Sequence, residues 1–124
     1  MKTPVDIYQE RAVCPLYTAI AVIDGRWKPM IFQRLSERPL GFGQLRRAMP
    51  RVTSKVLRGQ LRQMLADDLI VRDELSPRRL GVRYRVTPYG KSLAPVFAKL
   101  WRWGQSHLAR TGADRGTIAV SPAS

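Results

Sequence analysis

The sequence predicts a mostly helical fold that carries a small β-hairpin, arranged as a winged helix-turn-helix. Three observations lead to this prediction. Before residue 67, apolar residues recur at helical spacing in four successive segments that turn-forming residues separate. A short alternating stretch then indicates two strands joined by a basic turn, which is the pattern of a hairpin. A last apolar stripe at helical spacing indicates a closing helix.

The first two helices are each predicted to carry a proline in the first turn, where a missing N–H costs little. Pro15 begins the first helix, and residues 24–25 end it with an Asp-Gly break. The second helix is predicted over about residues 27–36, with Pro29 in its first turn. The apolar stripe of the first helix consists of Leu16, Ile20 and Ile23.

The third and fourth helices form the predicted helix-turn-helix. Phe42, Leu45 and Met49 give the third helix a short apolar stripe before Pro50 ends it. Thr53 then caps a fourth helix that runs to about residue 67. The apolar positions of this fourth helix are Leu57, Leu61, Met64 and Leu65.

The hairpin and the closing helix follow. Residues 69–75 and 82–86 are the predicted strands, and residues 76–81 form the basic turn between them. The closing helix is predicted to begin at the Thr-Pro pair that follows the second strand and to end at about Ala109. Pro95 lies inside this helix, so we expect a kink there.

The length of the chain, 124 residues, suits one compact domain. We expect this domain to span residues 14–110 and to end in a dimerisation helix. Residues 1–13 are expected to form an N-terminal arm. Residues 111–124 are rich in Gly, Ala, Ser and Pro and are expected to form a flexible tail.

The charge of the chain indicates a polyanionic partner. The formal net charge is +13, from 22 Lys and Arg against 9 Asp and Glu. Nucleic acid is the first candidate, and an anionic membrane surface is the second. No apolar run is long enough to span a membrane, and no signal-peptide segment is evident, so we expect a cytoplasmic protein without a membrane partner. The single cysteine suits a reducing compartment.

A basic, acid-free segment covers the predicted helix-turn-helix. Residues 38–66 contain seven Arg and Lys and no Asp or Glu. On the fourth helix the basic residues fall opposite the apolar ones, so one face packs on the core while the other offers hydrogen-bond donors to bases and phosphates. The alternative is a solvated basic face without a fixed partner. The predicted DNA-binding residues here are Thr53, Ser54, Lys55, Arg58, Arg62, Arg46, Arg47 and Arg51.

The tip of the hairpin is also basic. Arg78 and Arg79 are predicted to reach a minor groove or flanking phosphates. The alternative is a basic loop without a fixed partner. Asp73 and Glu74 lie on the facing strand and could pair with other arginines of the hairpin.

The closing helix has an apolar stripe longer than a small domain can readily cover. Packing against the same helix of a second chain would bury it, which favours a homodimer; an ordinary core helix is the alternative. The predicted interface residues of this helix are Leu93, Val96, Phe97, Leu100, Trp103 and His107.

The sequence contains no recognisable catalytic or metal-binding set. With one His and one Cys, neither a zinc cluster nor a supported Cys/His pair is evident. No credible carboxylate pair, Ser-His-Asp set or Gly-rich phosphate loop is present either. We therefore expect a protein that is not an enzyme and has no cofactor and no metal.

An ordered series of short motifs resembles the HxlR-type winged-helix regulators of bacteria. The series opens with Cys14-Pro15 and Gly25-Arg26-Trp27-Lys28. It continues at residues 42–50, 55–57, 60–62, 68–72, 84–87, 90–93 and 103–104. The resemblance implies a MarR-like homodimer formed through the first and last helices, which adds Leu16 and Ile20 to the expected interface. It also implies two recognition helices in successive major grooves, and a cytoplasmic, nucleoid-associated location.

These observations together predict a sequence-specific, DNA-binding transcriptional regulator, either a repressor or an activator, that binds a palindromic operator as a homodimer. A non-specific architectural or RNA-binding protein is the main alternative, and a protein-interaction module is another.

Some HxlR-type regulators sense oxidants or electrophiles through the cysteine of the Cys-Pro pair. In this sequence Cys14 precedes a helix start, where free N–H groups and the helix dipole favour the reactive thiolate. A small buried apolar residue is the equal alternative for this position.

Overall fold

The computed structural model describes residues 14–75 and 81–112, and within these ranges six helices flank one two-stranded antiparallel sheet. The elements in chain order are α1 (Pro15–Ile23), α2 (Lys28–Glu37), α3 (Phe42–Ala48), α4 (Ser54–Ala66), β1 (Ile70–Glu74), β2 (Val82–Val86), α5 (Pro88–Lys91) and α6 (Ala94–Thr111). This order confirms the first four predicted helices and the hairpin. The expected N-terminal arm, the hairpin tip and most of the expected tail lie outside the described residues.

The core lies between α2, α3, α4 and the hairpin. Most of its members come from the stripes that the helical spacing predicts, because each helix turns one apolar face inward, while Val52 lies in the turn before α4 and Ile70 lies on β1. The side chains with almost no exposure are Ile31, Leu45, Met49, Val52, Leu57, Leu61, Met64 and Ile70. The packing of α2 against α4 and the hairpin fixes α4 at one edge of the domain, with its opposite face open to solvent.

The connection from α1 to α2 is held by a buried lysine. Lys28 is 4% exposed, and its Nζ donates a hydrogen bond to the carbonyl oxygen of Val22 at 3.3 Å. This bond satisfies a carbonyl in the last turn of α1, where helical partners are missing. Gly25 has a φ of 153° in the same turn, which is a conformation that residues with a Cβ rarely adopt.

The hairpin is tied to the helices by a third extended segment. In its register Ile70 faces Val86 and Glu74 faces Val82. Leu40, between α2 and α3, forms an isolated antiparallel bridge with Tyr84 through two backbone hydrogen bonds of 3.1 and 2.8 Å. The start of α3 is therefore attached directly to β2.

The closing helix differs from the prediction. A single helix with a kink at Pro95 was expected, but the structure has two helices, α5 and α6, separated at Ser92 and Leu93. Pro95 lies in the first turn of α6, where its missing N–H needs no partner and its ring meets no preceding turn. The proline therefore starts a helix rather than bending one, and α6 continues to Thr111, where Gly112 ends it at a φ of 74°.

No helix in the described part of the chain is both long enough and apolar enough to cross a membrane.

Candidate nucleic-acid interface

The helix α4 presents a basic face to solvent. Its N-terminus is capped by Thr53, whose Oγ1 accepts a hydrogen bond from the backbone N–H of Val56 at 3.2 Å. Lys55, Arg58 and Arg62 are exposed, whereas the opposite face of the helix is buried in the core. The segregation predicted from the sequence is therefore present: one side of α4 holds the fold and the other is available to a partner.

Arg46 and Ser54, both predicted to contact DNA, contact each other. The Nη1 of Arg46 on α3 donates a hydrogen bond to the hydroxyl oxygen of Ser54, the first residue of α4. The Nε of Arg46 is buried and has no hydrogen-bond partner among the described residues. The hydrogen bond between Arg46 and Ser54 links α3 to the first turn of α4.

Arg58 is stacked on an aromatic ring. Its guanidinium carbon lies 4.3 Å from the centroid of Phe42, the first residue of α3. The apolar spacing of α3 identified Phe42 as a core residue, and the ring does pack partly against the core. The contact between Phe42 and Arg58 joins residues that are distant in sequence, so no local sequence pattern predicted it.

A groove of about 670 Å³ lies between α3, α4 and the hairpin. Arg47, Arg58, Arg62 and Arg72 line it, and none of its lining residues is acidic. Arg72, on β1, was placed on the hairpin by the sequence but was not among the predicted DNA-binding residues. We define the basic surface as these arginines together with Lys55 and Arg51, all of them exposed.

The hairpin carries one ion pair among the residues described. The Nε of Arg85 lies 2.6 Å from Oδ2 of Asp73, which confirms that Asp73 pairs with an arginine of the facing strand. Because Asp73 neutralises its charge, Arg85 is a weaker candidate for contact with an anion than the arginines of the basic surface. Arg78 and Arg79 lie outside the described residues, so their contact with DNA stays a prediction.

The predicted interface residues divide into two groups. Leu93 and Phe97 are half-buried and pack against the domain's own core, where the Phe97 ring lies 4.9 Å from that of Phe32. The others are exposed, and Trp103 is 67% exposed with its ring stacked at 5.1 Å on that of His107. The exposed members are Leu16 and Ile20 on α1 and Val96, Leu100, Trp103 and His107 on α6. We refer to these six residues together as the exposed apolar surface.

Cys14 is the N-cap residue of α1. Its Sγ accepts a hydrogen bond from the backbone N–H of Tyr17 at 3.4 Å, and the residue is 7% exposed. The structure therefore combines both properties that the sequence offered as alternatives, a helix-start thiol and a buried one. Among the described residues, no group of three or more His, Cys, Asp and Glu side chains is placed to hold a metal ion.

Comparisons with known proteins agree on one kind of protein. A family model described as HxlR-like helix-turn-helix matches residues 22–112. The HTH-type transcriptional regulator YdzF of Bacillus subtilis is 37% identical over 93 residues, which is 74% of this chain and 85% of that protein.

Solved structures give the same picture at the level of the fold. The redox regulator HypR in its reduced form superposes with a TM-score of 0.72 at 28% identity, covering 80% of this chain and 98% of that one. A transcriptional regulator of the MarR family from Enterococcus faecalis gives a TM-score of 0.70 at 28% identity, covering 79% of this chain and 89% of that one.

Proposed function

This chain belongs to the HxlR-like helix-turn-helix family, and from that premise we propose that it is a homodimeric regulator that binds a palindromic operator in double-stranded DNA. Members of the family are DNA-binding transcriptional regulators and not enzymes, so the predicted class of function is confirmed, as is the winged helix-turn-helix fold. The proposal adds sequence-specific recognition, the homodimer and the symmetry of the operator.

The observation that carries the proposal is the exposed basic face of α4. A helix fits the major groove of B-DNA, and its outward side chains can then reach base edges. Lys55, Arg58 and Arg62 are exposed on that side while the buried face anchors the helix in the core. Arginine and lysine donate to the O6 and N7 atoms of guanine, so these residues are suited to direct readout of sequence.

The flanks of α4 suit contacts to phosphates, which position a protein on the duplex without reading its sequence. Arg47, Arg51 and Arg72 are exposed around the helix. Thr53 lies at the α4 N-terminus, where backbone N–H groups and the helix dipole favour an anion. We extend the same role to Arg78 and Arg79 at the tip of the wing, as the sequence predicts.

The exposed apolar surface on α1 and α6 supports the homodimer. A soluble domain that exposes a run of large apolar side chains gains stability when a second copy covers it. A two-fold axis at this surface would relate two copies of α4, and a palindromic operator is the DNA counterpart of such symmetry. Residues 14–110 would form the dimeric domain, acting on nucleoid DNA in the cytoplasm.

Cys14 is the candidate for a response to oxidants or electrophiles. HypR, to which this chain is similar, is a redox regulator. The position of Cys14 at the N-cap of α1 supports the same role here, because α1 carries part of the exposed apolar surface. Oxidation or alkylation of the thiol would disturb the start of α1 and so the spacing of the two α4 helices.

Binding measured by fluorescence anisotropy tests the proposal. The probes are the DNA directly upstream of the gene, a random-sequence duplex of equal length and an RNA duplex. The proposal predicts at least about a 10³-fold preference for a site in the upstream DNA over the random duplex. Arg58→Ala should weaken binding to that site by about 1–3 kcal/mol and relax its specificity. Arg102→Ala removes the same charge from α6 and serves as the control. Equal binding to all three probes would instead identify a non-specific architectural or RNA-binding protein.

A further inference from the structure

The contact between Phe42 and Arg58 lies in the middle of the basic surface. A separation of 4.3 Å between guanidinium carbon and ring centroid is well inside the range in which a cation is attracted to the face of an aromatic ring. Both residues line the groove between α3, α4 and the hairpin. The contact therefore joins the two helices of the helix-turn-helix at the side that would face DNA.

The ring of Phe42 is a fixed platform. Part of it packs against the core, and its helix α3 begins immediately after Gly41. The backbone N–H of Gly41 donates to Oε1 of Gln44 at 2.8 Å, and a Cβ at position 41 would lie only 3.1 Å from the carbonyl oxygen of Val82. The start of α3 is thus held against β2, and the ring has little freedom to move.

Nothing else in the described residues holds Arg58 in place. No carboxylate among them pairs with it, and the other charged residues that line the groove are arginines, which repel it. A long exposed side chain in such surroundings would sample many rotamers, and ordering it on binding would reduce affinity. Stacking on Phe42 orders the side chain before DNA arrives.

We propose that Phe42 is a positioning residue for sequence recognition: its ring holds the Arg58 guanidinium so that the N–H groups at the edge of the guanidinium face a guanine in the major groove. Stacking occupies only the face of the guanidinium, so its donors stay free for a bidentate hydrogen bond. The inference rests on the proposed function, because it assigns a partner to the arginine that reads the operator.

A double-mutant cycle tests this role. Wild type, Phe42→Leu, Arg58→Ala and the double variant are titrated against the duplex that wild type enriches most from a random pool and against an unselected duplex. Leucine keeps the apolar packing of position 42 but has no aromatic face. We expect Phe42→Leu to weaken binding to the enriched duplex about two- to five-fold, the equivalent of about 0.5–1 kcal/mol. Binding to the unselected duplex should not change.

Two further comparisons separate positioning from a structural role. In the Arg58→Ala background, Phe42→Leu should have no effect, and Phe42→Tyr, which keeps the ring, should bind like wild type. The inference is overturned if Phe42→Leu lowers DNA affinity equally in the wild-type and Arg58→Ala backgrounds, or equally for the enriched and the unselected duplex. It is also overturned if Phe42→Leu binds the enriched duplex with wild-type affinity.

A spectroscopic signature reports on the stacking without DNA. The ring current of Phe42 should shift the Arg58 Nε–H proton signal upfield, and Phe42→Leu should move it to the position of a solvated arginine; an unmoved signal would refute the stacking in solution. If wild type enriches no duplex, the proposed function fails and this inference falls with it. If wild type selects a duplex but the cycle is additive, only the role of Phe42 is refuted.

Discussion

Replacing either of two glycines by alanine should have opposite effects on stability. Gly90 lies in α5, which packs against the hairpin, and it is buried. A Cβ at this position would overlap the carbonyl oxygen of Leu69 and would lie 2.9 Å from the carbonyl carbon of Leu69 and 3.0 Å from Cγ1 of Val86. The nearest atoms are backbone, so α5 itself has to move.

The free-energy cost of moving α5 depends on the hydrogen bonds that link it to Leu69. The carbonyl oxygen of Leu69 accepts a hydrogen bond from the backbone N–H of Thr87 at 3.0 Å. The Thr87 hydroxyl donates to the carbonyl oxygen of Asp68 at 2.7 Å and has that of Leu69 as a second, longer acceptor at 3.2 Å. The Thr87 Oγ1 also accepts the N–H of Gly90 at 2.8 Å. Overpacking costs about 1–3 kcal/mol, and weakening one buried hydrogen bond adds about 1 kcal/mol. The higher helix propensity of alanine offsets about 1 kcal/mol of this cost. We therefore expect Gly90→Ala to lower the free energy of unfolding by about 2 kcal/mol.

Gly59→Ala is the matched control, because a Cβ at that position meets no atom within 4 Å beyond its chain neighbours and the local backbone of α4. Alanine should therefore raise the free energy of unfolding by about 0.5–1 kcal/mol. Urea unfolding followed by circular dichroism, at one protein concentration for all variants, measures both changes. A Gly90→Ala variant as stable as Gly59→Ala would refute the packing of α5 against Leu69.

Three further predictions concern the interface, the wing and the thiol. Trp103→Glu should yield monomers in sedimentation, because it places a charge in the exposed apolar surface. Gln105→Glu, on the far side of α6, is the control and should remain dimeric. If Trp103→Glu dimerises with wild-type affinity, Trp103 is not in the interface. Replacing Arg78 and Arg79 with alanine should reduce the slope of log affinity against log salt by about 0.9 for each phosphate that these arginines neutralise, and an unchanged slope would leave both in solvent. Cys14→Ser should bind DNA normally but ignore a mild oxidant that releases wild type, and release of both proteins alike would make Cys14 structural.

The sequence was sufficient for most of the elements because their signals are local. Apolar spacing located the buried face of α4, and Thr53 marked its start, since a cap and a stripe depend on residues within a few turns. The hairpin was predicted from two stretches of alternating apolar and polar residues on either side of a turn. The sequence predicted a kink at Pro95 where the structure has a break before it, because proline is compatible with a kinked helix and with the first turn of a new one, and local spacing does not distinguish them.

The finer features of the site could not be predicted, because they depend on interactions between distant parts of the chain. The stack of Arg58 on Phe42 and the hydrogen bond from Arg46 to Ser54 exist only once α3 and α4 are packed. The same holds for Phe97, whose place on an apolar stripe is equally consistent with an interface and with the core contact it makes to Phe32.

Two copies of α4 in successive major grooves of a symmetric site would protect the DNA backbone in a defined pattern, which hydroxyl-radical footprinting of the enriched duplex measures directly. We expect two protected patches related by a two-fold axis, with centres about 10–10.5 base pairs or a multiple of that apart. Arg58→Ala should weaken both patches equally. A single patch, or uniform protection along the duplex, would contradict the proposed dimer on its operator.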